Sequence, residues 1–385
     1  MSTTSNAAEP ASPPAYYPWI DSLKGFGIFL VVLGHVSTTT AVTQTLFAFH
    51  MPLFFFIFGL LFHHHSLQTT LIRKTRRLLI PYLFFALITW GYWVVIERHI
   101  RHQSNPIMHA LGNIIIARGG TDNYPYNAPL WFLPCLFITE LLFALGYASL
   151  FEKIGEHSKK PRISATIIAI LALAGLLLGY ACSRSLLPTR LPLTLDIVPV
   201  GFTFYALGFL CRPMLLQNIQ SLPQTVSRYQ TDSDNRCSRC NSHRYIPRKT
   251  LDAIISVILF TTVWLITQAT KLTVDLNNMT ISNPWWLLIA SATGITASVL
   301  FARAIDCTPI RYLGTISLTA MCIHEPVKRI LIRFNGIITQ LGDDGVRQNI
   351  FWSLVITLIT LLVAAAVYEI LKRILPVSVG LTYRS

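Results

Sequence analysis

Long apolar segments alternate with short polar segments along almost the whole chain. Ten of the apolar runs are long enough to cross the hydrocarbon core of a membrane, which takes about 20 residues of helix. We place these runs near residues 22–39, 45–62, 78–97, 129–149, 163–181, 195–211, 251–270, 284–302, 312–333 and 350–371. The pattern predicts an all-α fold, a polytopic membrane helix bundle of about ten transmembrane helices.

The composition agrees with this pattern. Hydrophobic residues make up 52% of the chain and charged residues only 12%, whereas about a quarter of the residues in soluble domains are charged. A net charge of +14 would suggest nucleic acid as the partner of a soluble protein. Here the basic residues cluster in loops between apolar runs, so we expect membrane lipids and no nucleic acid as partners.

The distribution of Lys and Arg predicts how the helices are oriented. With a cytoplasmic N-terminus and ten alternating helices, the inner segments hold 20 of these residues and the outer segments hold 10, leaving aside Lys24 within the first helix. Cytoplasmic segments of membrane proteins carry the excess of Lys and Arg. Both termini are therefore predicted to be cytoplasmic. The first run contains Lys24 and lacks a small-residue cleavage site, so we predict no removable signal peptide.

One membrane domain is predicted to occupy most of the chain. The predicted parts are a disordered tail at 1–16, rich in Ser, Thr, Ala and Pro, a membrane domain at 17–373 that includes a polar cytoplasmic loop at 212–250, and a C-terminal tail at 374–385. Within the polar loop, Cys237, Cys240 and His243 have a spacing found in zinc sites. No fourth ligand is evident, so we predict a polar loop and no metal site.

The first apolar run carries Lys24 near its start and His35 near its end. Eleven helical positions make about three full turns, so both side chains lie on one face, and Asp21 precedes Lys24 by one turn on that face. Ionisable side chains in a spanning helix face the bundle interior or a wet cavity. The stripe indicates a functional site, although a snorkelling Lys and a hydrogen-bonded core His would also fit.

Two other runs carry candidate functional residues, two of which are polar side chains that are costly to expose to lipid. His50 lies in the outer half of the second run, just before Pro52, which is expected to kink the helix. Trp131 begins the fourth run, where an ordinary interfacial aromatic residue is the alternative to a functional one. Glu140 lies deeper in the same run and requires a partner, because an unpaired carboxylate is costly in a membrane.

The ninth run contains His324 and Glu325, followed by Pro326, which is expected to break the helical ladder. By residue count, His324 lies at nearly the same depth as His35. A single buried histidine is usually structural, but several at one level beside a carboxylate suggest proton transfer.

A basic cluster precedes the third run, which is expected to begin near Pro81. Its three arginines share helix faces and can hold phosphates through forked hydrogen bonds; they are Arg73, Arg76 and Arg77. Positive-inside charge without a ligand is the alternative interpretation.

Taken in order, these segments resemble the acyltransferase 3 family of integral-membrane O-acyltransferases, and within it the fucose 4-O-acetylase-like branch. The similarity covers about residues 17–373, and its motifs are Lys24 with His35, FHMPLFFFIFG, the Arg cluster before LLIPY, PLWFL and SLTAMCIHEP. The resemblance implies a ten-helix bundle in the cell inner (plasma) membrane. It also implies transfer of an acyl group, usually acetyl from acetyl-CoA, to a sugar hydroxyl of a cell-envelope or exported glycan.

The resemblance also implies roles for individual residues. Lys24 and His35 match the basic–His pair of the family, which often has Arg at the first position. We expect catalytic roles for His35, His324 and Glu325, acyl-CoA binding by Lys24, Arg73, Arg76 and Arg77, and acceptor-binding or supporting roles for Asp21, His50, Trp131 and Glu140. Acetyl-CoA is expected as a co-substrate, with no permanently bound cofactor and with a glycan or lipid-linked saccharide as the acceptor.

Several mechanistic alternatives remain open at this point. Either His35 is the general base and His324 or Glu325 orients it, or His324 is the base and His35 is structural. The acyl group passes directly or through an acyl-enzyme, and the donor carries acetyl, succinyl or another short acyl group. Intramembrane His and Glu also suit a proton-coupled transporter or flippase of a glycan precursor. A non-catalytic scaffold of a glycan-assembly complex is a third possibility.

Overall fold

A computed structural model describes residues 16–148, 161–184, 189–216 and 248–381. The predicted all-α membrane bundle is confirmed, because nine helices within these ranges are long and apolar enough to cross a membrane. They are Pro18–Val36, Thr40–Leu60, Leu67–Ile100, Ala128–Gly146, Ala165–Ser183, Pro192–Leu216, Arg248–Thr270, Pro284–Ala304 and Ile350–Ile374.

A tenth helix of spanning length, Ser317–Thr339, corresponds to the predicted ninth run. Its 23 residues extend over about 35 Å, enough for the hydrocarbon core. It is less apolar than the others because it contains Glu325, Lys328, Arg329 and Arg333. With this helix the described residues hold ten long helices, an even number that is consistent with the prediction that both ends of the bundle lie on one side.

Two of the predicted segments lie largely outside the described residues. They are the N-terminal tail, of which only Tyr16 is described, and the polar loop, of which 217–247 falls outside, including Cys237, Cys240 and His243. The helices flanking the loop extend to Leu216 and begin again at Arg248. The first and last residues of the predicted 212–250 loop are therefore helical.

The second span is two helices rather than one. Thr40–Phe47 and His50–Leu60 are separated by a turn at 48–49. Pro52 lies in the first turn of the second piece, where its missing N–H has no helical partner to lose. The predicted distortion is present, and it makes His50 the first residue of a new helix.

The third span begins earlier than predicted. Helical structure runs from Leu67 to Ile100 without a loop, so the prediction that the helix begins near Pro81 and that a loop carries the arginines was wrong. Proline cannot donate to the carbonyl four residues back, and a π-helical turn precedes it. In that turn the Ile80 N–H donates to the Thr75 carbonyl. At 34 residues the helix is roughly 50 Å long, so its basic first turns extend beyond the hydrocarbon core.

The ninth span also differs from its prediction. A short helix, Thr308–Thr315, precedes Ser317–Thr339, and the longer helix continues through Pro326 to Thr339. Proline therefore removes one backbone hydrogen bond here but does not end the helix.

Short elements cover the end of the bundle that the charge distribution assigns to the outside. Two strands, Val274–Asp275 and Thr280–Ile281, pair antiparallel with Val274 opposite Ile281. Gly120, at φ +110°, donates its N–H to Asn277 Oδ1 over 2.9 Å and ties this hairpin to the loop before the fourth span. Two short helices, Ile107–Ile116 and Gly342–Gln348, and two 3₁₀ turns, Ala128–Trp131 and Pro192–Thr194, also lie at this end. A further 3₁₀ turn, Pro376–Val379, lies at the inner end.

Glycines allow the second and sixth spans to pack with their backbones in contact. A Cβ atom on Gly208 would overlap the Phe56 carbonyl oxygen, and one on Gly59 would overlap the Tyr205 carbonyl oxygen. Small residues at helix contacts are a common basis of packing in membranes, where lipid gives no hydrophobic drive between helices. This contact fixes the helix that carries His50.

We expect Gly208→Ala to destabilise the protein by about 1–3 kcal/mol, because the added methyl group must push two helices apart. The measurement is thermal unfolding of the detergent-purified protein. Gly91→Ala is the matched control, since a Cβ there meets nothing within 4 Å. In a helical position with open space around the Cβ, that change is neutral or stabilises by up to about 1 kcal/mol. Equal melting temperatures for the two variants would contradict the close-packing interpretation.

Candidate active site

Three histidines from three spans meet at the outer end of the bundle. His35 lies in the last turn of the first helix, His50 begins the second piece of the second span, and His324 lies within Ser317–Thr339. The ring centroids of His35 and His324 are 5.2 Å apart, and those of His35 and His50 are 6.1 Å apart. The His35 ring therefore lies next to both other imidazoles.

Backbone hydrogen bonds set the tautomers of two of these rings. Nδ1 of His324 lies 3.0 Å from the Ala320 carbonyl oxygen, and Nδ1 of His50 lies 2.6 Å from that of Leu46. A carbonyl oxygen only accepts, so Nδ1 carries a proton in both rings, and in the neutral form of each ring Nε2 has the lone pair. His324 Nε2 is buried and has no hydrogen-bond partner among the described residues. It is therefore able to accept a proton.

Of the three rings, the one of His35 lines a large cavity formed by the described residues. A cavity of about 430 Å³, here called the outer chamber, is lined by His35, Phe47, Trp131, Asp275, Asn277, Glu325, Lys328, Arg329 and Arg347, among others. His35 is partly exposed to it, whereas His324 is 0% exposed and His50 is 3% exposed. A smaller cavity of about 30 Å³ lies among His35, His50, Trp131 and Met321.

A chain of ion pairs forms part of the wall of the outer chamber. The buried carboxylate of Glu325 accepts from Lys328 Nζ and from Arg329 Nε, each at 2.9 Å. Lys328 also donates to the His35 carbonyl oxygen over 2.7 Å, and Arg329 also donates to Glu97 over 2.8 Å. Buried charges in a membrane protein persist only when they are paired in this way. The network joins the helices that carry His35 and His324.

Pro326 has a specific role in assembling the site. It has no N–H to donate to the Cys322 carbonyl, which is four residues back in the helix. That oxygen instead accepts from Asn127 Nδ2 over 2.6 Å, and Asn127 is completely buried. Asn127 immediately precedes the turn Ala128–Trp131. The carbonyl that Pro326 leaves free thus anchors the turn that carries Trp131, which lines the same cavities as His35.

The geometry favours proton transfer over metal binding. One ring nitrogen of His35, one of His324 and one carboxylate oxygen of Glu325 lie within 4.8 Å of one another, a spacing that by distance alone could surround a metal ion. Both Glu325 oxygens, however, already accept from cations. A divalent ion would have to compete with Lys328 and Arg329 for the same carboxylate, whereas a proton passing between imidazoles would not.

A second charged site lies at the inner end of the bundle. A cavity of about 120 Å³, here called the inner cavity, is lined by His63, His65, Arg73, Lys74, Arg77, Glu140 and Tyr205, among others. Glu140 is buried, and Lys74 lies 2.6 Å from its carboxylate. The partner that Glu140 requires is therefore supplied by the basic segment before Pro81, and it is a lysine rather than one of the three arginines.

His65 adds a neutral imidazole to the inner cavity. Partial desolvation and the neighbouring Arg73 guanidinium lower the pKa of His65 below its ordinary value. An arginine can only donate, so His65 Nε2 accepts from Arg73 over 2.8 Å. This bond fixes the direction of the Arg73 side chain at the mouth of the cavity.

Some of the residues selected from the sequence lie elsewhere. Lys24 pairs with Asp21 over 3.1 Å, and Asp21 also accepts from the Tyr16 hydroxyl. Lys24, Asp21 and Arg76 do not line the inner cavity or the outer chamber as far as the described residues define them. The shared stripe of Lys24 and His35 thus leads from an ion pair near the inner end to the histidine cluster at the outer end.

Several residues of the site were missed by sequence reasoning. They are Lys74, Glu97, Asn127, Asp275, Asn277, Lys328, Arg329 and Arg347. Lys328 and Arg329 follow Glu325 by three and four positions, a spacing that pairs charges on one helix face, so a signal for them existed. The bond from Arg329 to Glu97 and the bond from Asn127 to the Cys322 carbonyl gave no such signal, because their partners are about 200 or more positions apart in the chain.

The chain is similar to one known family over nearly its whole length. A family model described as an acyltransferase domain matches residues 17–369, which include both charged sites and all three histidines. No curated protein and no solved structure matches the chain. The match identifies the family and does not select a branch within it.

We expect Asn127→Leu to lower the free energy of unfolding by about 1–3 kcal/mol, because it leaves the buried Cys322 carbonyl without a donor. In the double variant Asn127→Leu/Pro326→Ala, the new N–H at position 326 can donate to that carbonyl and should recover part of the loss. Thermal unfolding of the wild type, both single variants and the double variant gives the comparison. If the double variant is instead less stable than Asn127→Leu alone, Asn127 does not stabilise the protein by donating to the Cys322 carbonyl.

Proposed function

The chain belongs to the acyltransferase 3 family, and on that premise we propose that it is an O-acetyltransferase of the membrane. It moves an acetyl group from cytoplasmic acetyl-CoA to a sugar hydroxyl of a cell-envelope or exported glycan. The observation that carries the proposal is the His35 imidazole in the wall of the outer chamber, with ligand atoms of His324 and Glu325 within 4.8 Å.

His35 acts as the general base in this mechanism. A sugar hydroxyl is a weak nucleophile until its proton is removed, and a positioned histidine typically accelerates such a step by about 10²–10⁴-fold. His35 takes the proton while the hydroxyl oxygen attacks the thioester carbonyl. The carbon–sulfur bond then breaks, and the proton passes to the departing thiolate of CoA. Of the three histidines, His35 has this role because its imidazole lines the outer chamber.

His324 and Lys328 support the reaction without replacing the base. The lone pair on His324 Nε2 can accept a hydrogen bond from the His35 ring, which fixes that ring and stabilises its charged form. Lys328 lines the outer chamber and is held by Glu325, so its charge can stabilise the oxyanion that forms as the carbonyl is attacked.

The inner cavity is proposed as the binding site for the CoA phosphates. Arg73, Lys74 and Arg77 line it, and guanidinium groups bind phosphates through paired hydrogen bonds. Acetyl-CoA is a cytoplasmic and strongly anionic donor, so it would meet this basic end first. The acceptor would bind at the opposite end, where Trp131, Asp275 and Asn277 offer an aromatic face and polar groups suited to a sugar.

We expect His35→Ala to reduce acetyl transfer by about 10²-fold or more, as for loss of a general base. The measurement is incorporation of label from acetyl-CoA into the glycan fraction of membranes that contain the protein. His324→Ala should also reduce transfer, while His109→Ala, an exposed histidine on a short outer helix, serves as the control.

The same assay separates the competing interpretations. Full activity of His35→Ala beside an active wild type would show that the base is wrongly assigned within a correct family. A wild type that transfers no label from any short acyl-CoA, but moves a glycan precursor across the membrane, would favour the transporter interpretation instead.

We expect Arg77→Gln and Arg73→Gln each to raise the KM for acetyl-CoA by roughly 10-fold or more, as for loss of a charged hydrogen bond of about 1.5–3 kcal/mol. Arg76→Gln removes the same charge from the adjacent position outside the inner cavity and should change KM by less than about 3-fold. Steady-state kinetics with a fixed acceptor concentration provide the comparison. Equal effects at all three positions would indicate a general charge effect rather than a site.

A further inference from the structure

A second large cavity adjoins the outer chamber. It has a volume of about 610 Å³ and is lined by the outer ends of Leu67–Ile100 and Ser317–Thr339 and by the short helix Gly342–Gln348. This cavity, here called the outer groove, shares Glu325, Lys328, Arg329 and Arg347 with the outer chamber. A ligand in the groove would therefore lie against the same four side chains as a ligand beside His35.

Apolar side chains on the groove wall are turned outward. Ile100, Ile330, Phe334 and Ile337 line the groove and are 59%, 51%, 64% and 65% exposed. On the outer surface of a membrane bundle, such side chains meet lipid chains rather than water. These exposed side chains therefore indicate that the groove opens toward the lipid at the outer end of the bundle.

The same wall carries an excess of positive charge. Five basic side chains line the groove against three carboxylates, and each carboxylate already has a basic partner in the structure. Arg101 donates one N–H to Glu97 at 3.1 Å, and Arg333 lies 3.6 Å from Asp343. A guanidinium has five N–H donors in a planar fork, so both arginines retain donors for a phosphate.

We propose that the outer groove binds the phosphoryl group of a membrane lipid that carries the acyl acceptor, so that the acceptor is a glycosyl phosphoryl lipid. This rests on the proposed transfer to a sugar. The phosphate lies between Arg101 and Arg333, the lipid chain lies along the exposed apolar wall, and the sugar extends past Lys328 and Arg329 to His35. A soluble glycan would not need a cationic groove that opens to lipid.

The test measures binding of decaprenyl monophosphate to the detergent-purified full chain by native mass spectrometry, without an acyl donor. We expect Arg101→Gln/Arg333→Gln to weaken retention of this lipid by about 10–100-fold, as for loss of charged hydrogen bonds. Arg98→Gln is the matched control. Arg98 is near Arg101 on the same helix, but it stacks over Trp93 and is not among the residues that line the groove.

Three further ligands are tested on the wild-type protein, so this comparison does not require a variant that folds. Decaprenol has the same chain without a phosphate, inorganic phosphate has no chain, and phosphatidylglycerol is an ordinary anionic lipid. The proposal requires decaprenyl monophosphate to be retained at least about 10-fold better than each of these, because the site must recognise charge and carrier chain together. Equal retention of decaprenol, or equal retention of phosphatidylglycerol, would overturn it.

The outcome is independent of the acetyl transfer assay. Unchanged binding in the double arginine variant would overturn the groove assignment even if His35→Ala abolishes transfer. Conversely, wild-type protein that binds decaprenyl monophosphate selectively but uses no acyl-CoA would overturn the proposed function and leave the lipid site in place.

Discussion

The outer end of this bundle depends on the pairing of buried charges. Glu325 is held by Lys328 and Arg329, and these two cations continue to the His35 carbonyl and to Glu97. In a low-dielectric interior an unpaired charge is far more costly than in water. The three helices involved must therefore keep their relative positions to satisfy the network, and the same constraint places the His35 and His324 rings next to each other.

Backbone carbonyls provide a second constraint of the same kind. Two carbonyl oxygens accept from the Nδ1 atoms of His50 and His324, and a third, left free by Pro326, accepts from Asn127. A polar group without a partner is costly inside a membrane. Satisfying these oxygens also orients the imidazoles and seats the turn that carries Trp131. Stability and the proposed chemistry thus depend on the same hydrogen bonds.

The two ends of the bundle carry different charged sites. The inner cavity presents Arg73, Lys74 and Arg77 around a buried Glu140, and the outer chamber presents histidines beside a paired Glu325. The proposed transfer, with its donor on one side of the membrane and its acceptor on the other, requires such a division. The cation-rich outer groove adjoins the outer chamber and extends the outer charged site toward the lipid.

The sequence alone determined the helical class, the approximate spans and the family, because apolar periodicity and ordered motifs are local properties of the chain. It also selected His35, His50, His324 and Glu325. Only the tertiary structure decided that Arg73 and Arg77 line a cavity while Arg76 and Lys24 do not, because helix rotation depends on neighbours. The contacts of Glu97 with Arg329 and of Asn127 with the Cys322 carbonyl were likewise beyond the sequence, since a contact across about 200 or more residues leaves no local pattern.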